Sequence, residues 1–323
     1  MKNNFILLSA FTALFFMQGC QKNMDSFIPD AVSSASGTEW QNTITLNSPV
    51  AALRNDLSIM KVADSFAYNS AGTFSASGDL ALFVPQGALS SNAGTLPTGI
   101  IRRQSLLVRK KGDFIAMSMP TVSNGRLLVS GGAYFLGLKN NSEELQVPQG
   151  KKIYLQYTAV APAQNMWVFN GMEDITAGYN WTLNGDTAFN KVGISQNGYE
   201  VQTNKLYWLQ TARFVDTAGI AQTTLSLNLP ANYTNTNTVA YISFNDFLCV
   251  AGIPGNAALR KFVSGNLPVN RSVTVVVLSK QSGDYYLGKM VTNTSSTVTI
   301  APELVITPVK TSLADIRTYL QGL

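Results

Sequence analysis

Pro120-Thr121-Val122-Ser123-Asn124-Gly125-Arg126-Leu127-Leu128-Val129-Ser130-Gly131-Gly132-Ala133-Tyr134-Phe135-Leu136 is the stretch that decides the fold. Asn124-Gly125 is a two-residue hairpin turn, because both residues tolerate the positive φ that such a turn demands. An apolar run follows from Leu127, broken by Ser130-Gly131-Gly132. Paired glycines inside a strand predict a bulge or a close approach of backbone. The stretch therefore reads as a tight hairpin opening into a long, irregular strand, and the chain around it keeps the same rhythm.

Upstream, residues 72–84 read as strand, turn, strand, with Leu80, Leu82 and Val84 alternating inward and Pro85-Gln86-Gly87-Ala88 closing the second strand. Segments 105–109 and 111–115 are read as further short strands. Downstream come Glu144–Val147 and the cleanly alternating Lys152-Ile153-Tyr154-Leu155-Gln156-Tyr157. Past residue 222 the alternation resumes in Thr224–Leu229 and Val239–Phe244. Ser272–Leu278 is apolar throughout, which predicts a central strand buried on both faces. Short strands separated by Gly, Pro and Asn predict an all-β chain of two β-sandwich domains. The last segment reads as a short helix, with Ser312 as N-cap, Asp315 at the capping-box position and Leu313, Ile316 and Leu320 on one face.

The start of the chain has a different character. Lys2 precedes the apolar run Phe5–Phe16, and Met17-Gln18-Gly19-Cys20 follows. At about 12 residues the run is too short to cross a bilayer, which takes ~20. A small residue before a cysteine fits signal-peptidase cleavage and lipidation of the new N-terminal thiol, and the segment resembles the bacterial lipobox with Met17 in place of leucine. The expected order is a signal peptide at 1–19, a lipidated N-terminus at Cys20 with a flexible tether over 20–43, a first sandwich at 44–200, a second at 201–310 and the helix at 311–323. Gln21 after the cysteine favours the outer membrane, on its periplasmic face or at the cell surface. Several acyl chains give stable anchoring where one alone does not.

Composition limits the chemistry. The chain has 323 residues, 46% of them apolar and only 13% charged, with a formal net charge of +5, one less once Lys2 leaves with the signal. The positive charge is spread along the chain and forms no nucleic-acid footprint. With no histidine in the sequence, Ser-His-Asp and Cys-His catalysis and the usual zinc sites drop out. Cys249 has no partner once Cys20 is lipidated, and its apolar neighbours mark it as a small buried hydrophobe.

The set Phe83–Leu89, Lys111-Gly112-Asp113 and Pro120–Gly132 resembles the envelope lipoproteins of Bacteroidota whose first domain is similar to the zonula-occludens/netrin-receptor type β-sandwich. Met166–Gly171, Asn180-Trp181 and Lys205–Phe214 continue the likeness. Leu206, Gln210, Thr211 and Ala212 depart from it. The resemblance spans roughly residues 45–310. It implies the sandwich architecture and carries no catalytic residues.

Three candidate sites stand out. Trp167, Tyr179 and Trp181 could stack sugar rings, against the alternative that they fill the core. Among carboxylates, Glu173-Asp174 are adjacent and so point to opposite strand faces, while Asp186, Asp216 and Asp246 are scattered; a glycosidase needs a pair ~5–9.5 Å apart. Asn180, Asn184, Gly185 and Asp186 could offer oxygens to calcium, but Asn184-Gly185 reads better as a turn. The expectation is a non-enzymatic outer-membrane lipoprotein acting as an interaction or structural module, with no metal and no cofactor. The alternative is a glycan-binding surface lipoprotein of a polysaccharide-uptake system. Its partners are the membrane, through the lipid, and a protein or a glycan.

Overall fold

The computed structural model describes residues 38–69, 72–77, 79–174, 178–295 and 303–323. The signal peptide, Cys20 and most of the expected tether lie outside them. The fold is all-β, with three helices among the described residues.

Among the described residues, four larger sheets and a two-stranded pair, Gln222–Thr223 with Leu267–Pro268, are held together by three apolar cores. The first, large sheet runs Val62–Ala67, Ile100–Val108, Arg126–Asn140, Tyr207–Phe214, Trp167–Asp174, Gly178–Leu183. The second, of five strands, runs Lys191–Ser195, Gly198–Thr203, Ile153–Thr158, Leu80–Pro85, Gly72–Ser77. Leu80, Leu82, Val84, Leu155 and Val201 of the second sheet meet Ile101, Tyr134, Leu136, Val168 and Leu209 of the first, which makes a sandwich. A third sheet centres on Thr238–Phe244 and Ser272–Gln281, and a fourth on Ser226–Asn228 and Lys261–Val263. Their core contains Ile242, Phe244, Val275, Val277, Leu227 and Phe262.

The remaining core joins the sandwiches. The opposite face of the large sheet (Val108, Phe135, Phe169, Trp181) and the opposite face of the third sheet (Val239, Tyr241, Val276, Leu278) pack around all three helices. Ser272–Gln281 is thus buried on both sides, as its unbroken apolar run predicts.

Asn124 and Gly125 have φ of 48° and 78°, and Ser123 pairs with Arg126 across them. The strand register shifts where Gly132 and Ser130 face Thr211 and Ala212, leaving Gly131 as the extra residue of a bulge. A Cβ on Gly131 would stand 2.7 Å from the Tyr199 ring, so the bulge also lets the two sheets close.

The structure departs from the sequence reading at three elements. Residues 111–115 belong to a helix, Lys111–Ala116, rather than a strand. Gly112 is needed there because the backbone of Leu320 occupies the space a side chain would take. A helix also forms at Pro49–Leu57, a segment that the strand pattern of the sequence does not mark. Ser48 caps it, accepting from the amide of Ala51 at 3.3 Å, and it buries Val50, Leu53 and Leu57. The strand Tyr207–Phe214, placed beyond the expected boundary at 200, pairs with Arg126–Asn140 and Trp167–Asp174 inside the large sheet. The chain changes sandwich after Phe214.

The last helix spans Leu313–Gln321, and Ser312 caps it as expected. It packs into the core shared by both sandwiches through Ile316 and Leu320.

Candidate functional site

The aromatic residues singled out in the sequence separate in space. Trp181 is 0% exposed, and its indole N–H donates to the carbonyl of Pro120 at 3.1 Å. Its ring stands 5.0 Å from that of Tyr179, which is half-buried in the shared core. A sugar cannot reach the Trp181 face, so these two residues anchor the Asn124-Gly125 hairpin to the large sheet. Asn180 adds to that anchor: it exchanges hydrogen bonds with Asn124, one to the backbone at 2.9 Å and one to the side chain at 3.1 Å. Trp167 is 46% exposed, and among the described residues its ring packs on neither of the other two.

The other candidates resolve into local structure. Asn184 accepts from the amide of Asp186 at 3.2 Å, a polar turn. Asp216 accepts from the amide of Ala218, and Asp246 pairs with Arg271 at 3.3 Å. The side chains of Glu173 and Asp174 lie outside the described set. Cys249 is fully buried, and burial pushes its thiol up to about 12.

A different surface collects the features of a binding site: the outer face of the five-stranded sheet. Alternation sends Leu80, Leu82 and Val84 inward and therefore Ala81, Phe83 and Pro85 outward. On the next strand Ile153, Leu155 and Tyr157 point in, and Tyr154 and Gln156 point out. Register then lines the outward residues into rows across the strands. Phe74 pairs with Phe83, Phe83 with Tyr154, and Tyr154 with Gln202. Beside that row, Ala81 pairs with Gln156, and Gln156 with Glu200.

The result is three aromatic rings on three adjacent strands, flanked by amides and a carboxylate. Phe74 is 66% exposed and Phe83 41%. The Phe83 and Tyr154 rings lie 6.0 Å apart at 39°. Lys152 donates to Gln202 at 3.0 Å and leans toward the Tyr154 ring, which fixes the end of the row. The small side chain of Ala81 leaves a groove of about 540 Å³ between the rings and Glu200. That size is within the range of small-ligand sites.

Comparison with family models, with curated proteins and with solved structures gives no match.

Proposed function

We propose that the chain is a non-enzymatic lipoprotein of a bacterial outer membrane, anchored through Cys20 and of the Bacteroidota type its sequence resembles. In this reading it acts as an interaction module whose working surface is the Phe74–Phe83–Tyr154 row, and a neutral glycan chain is the partner that the row fits best. The observation that carries the reading is the aromatic row itself. Exposed rings on the solvent face of a sheet are costly in water unless something covers them. Their register gives one ring per strand, on strands about 4.8 Å apart, with Gln156 and Glu200 placed to bond hydroxyls. The apolar face of a sugar stacks on such rings, and its edge takes hydrogen bonds. On the anchor side, the support is the run Phe5–Phe16 followed by Gly19-Cys20. Among the described residues no helix is long and apolar enough to cross a membrane. Among the described residues, the carboxylates whose acidity moves, Asp56, Asp64, Glu144 and Asp315, are all shifted down, toward the anion.

Affinity electrophoresis of the purified chain through gels containing neutral plant, bacterial and host glycans tests the binding reading. Retardation by at least one glycan is expected, weakened tenfold or more in Phe83→Ala and Tyr154→Ala and unchanged in Trp167→Ala. Unretarded migration on every gel, or retardation indifferent to Phe83 and Tyr154, would leave the row without this role. Incorporation of labelled palmitate, lost in Cys20→Ser, tests the anchor.

A further inference from the structure

A second groove, of about 660 Å³, is on the far side of the same sandwich, on the outer face of the large sheet. It arises from register. One row across the strands reads Ser65, Arg102, Lys139, Glu144. The next reads Ala63, Gln104, Gly137. Beyond it Leu106 pairs with Phe135, and Phe135 with Trp208. The middle row carries two small residues, so a trough runs between a charged wall and an aromatic wall. Gly137 is its floor: a Cβ there would sit 3.1 Å from the Phe135 ring and 3.9 Å from Gln104.

Tyr207 closes one end. Its hydroxyl donates to Glu144 at 2.7 Å, and its ring lies 6.0 Å from Phe135, so it spans the two walls. It does so with φ at 68°, a conformation that a bulky L-residue rarely adopts and that the surroundings must impose. Such backbone strain gathers at ligand sites.

The charges in the trough do not cancel. Lys139 pairs with Glu144 at 3.3 Å, and Lys61 stands 3.7 Å over the Phe135 ring. Asp64 is taken up by the buried Arg103, at 2.7 and 2.8 Å. That leaves the exposed guanidinium of Arg102 without an ion-pair partner among the described residues, beside the amide of Gln104. An arginine fork matches a carboxylate with two parallel hydrogen bonds. Glu144 and Gln104 suit hydroxyls, and the ring of Tyr207, exposed in front of the buried Phe135, suits the apolar face of a sugar. A carboxylate in the charged wall would repel the dense charge of a polyphosphate.

We infer that this trough is a second binding site, for an acidic saccharide whose ring carboxylate pairs with Arg102. Calorimetric titration of the purified full chain in detergent tests it, using tetragalacturonate, an alginate tetramer and a hyaluronan tetrasaccharide, with cellotetraose as the neutral control of equal length. At least one acidic probe is expected to bind, and more weakly as salt rises. Arg102→Ala should weaken that binding at least tenfold, and Gly137→Val, which fills the floor, should abolish it. Phe83→Ala on the other sheet should leave it unchanged, which separates this site from the aromatic row. Thermal melting of each variant reports folding, and Arg102→Ala, a surface change, decides the matter if Gly137→Val melts early. Failure of all three acidic probes, equal binding of cellotetraose, or wild-type affinity in Arg102→Ala would overturn the assignment.

Discussion

At the residue scale, alternation carries more than it first yields. Phe83 and Tyr154 are outward because Leu82, Val84, Ile153 and Leu155 are inward, so their exposure follows from the same pattern that identifies the strands. What the sequence withholds is pairing: only register shows that Phe74, Phe83 and Tyr154 fall in one row. Trp181 shows the converse. A tryptophan beside Gly178 looks like a loop residue, yet it is buried because the hairpin at Asn124-Gly125, far off in sequence, folds over it. Gln210 is a second buried surprise. It lies at 0% exposure in the large sheet, opposite Ala133 and Phe169, and neither its amide oxygen nor its nitrogen has a hydrogen-bond partner. An unpaired buried polar group costs about 1–3 kcal/mol. Gln210→Met, similar in volume and free of that cost, is expected to stabilise the protein by about 1 kcal/mol. An unchanged or lower urea midpoint would show that the amide is satisfied in solution.

At the element scale, the helices are the part least legible in the chain. Pro49–Leu57 has the signature of a helix start in Ser48-Pro49 and the spacing of one in Val50, Leu53 and Leu57, but it is short and sits among strands. Lys111–Ala116 is shorter still, and its Phe114-Ile115 pair reads as strand until Gly112 is seen against Leu320. Both helices are fixed by tertiary packing, which local pattern does not report. Asp56 ties one of them down. It accepts from Lys280 at 2.6 Å and from the Tyr285 hydroxyl at 2.9 Å, and the Arg317 guanidinium donates to its carbonyl. The Lys280 hydrogen bond, chiefly, holds its carboxyl below the ordinary range. A carboxyl whose folded pKa is depressed stabilises the fold above its unfolded value, near ~3.9, and loses that contribution as pH falls through the folded value. Asp56→Asn should therefore cost about 1 kcal/mol at pH 7, kept small by partial solvent exposure. The gap from wild type should narrow below about pH 4. Urea unfolding at pH 7 and pH 3 checks it, and a gap that widens in acid would contradict the linkage.

At the scale of the whole molecule, the order of strands decides what can fold alone. Sequence spacing predicts two sandwiches with a boundary at residue 200, and that boundary falls inside the strand Gly198–Thr203. The large sheet makes a different demand. Tyr207–Phe214 lies between Arg126–Asn140 and Trp167–Asp174, hydrogen-bonded to both, and brings Leu209 to one core and Ala212 to the other. A fragment ending at residue 200 would lack this interior strand, leaving two long edges open and the Val168 and Tyr134 side of the core short of cover. It would also lose Val276, Leu278, Ile316 and Leu320 from the shared core. Residues 38–200 are expected to be aggregated or molten when expressed alone, with weak near-ultraviolet dichroism. Extending the fragment to residue 215 restores the sheet but not the cover over Val108, Phe135 and Trp181, so it should regain strand signal and still expose apolar surface to a hydrophobic dye. The intact chain should unfold in one transition by both tryptophan fluorescence and far-ultraviolet dichroism, because the shared core couples the two sandwiches. Two separated transitions, or a well-folded 38–200 fragment, would mean that the helices and the third sheet contribute little to holding the first sandwich together.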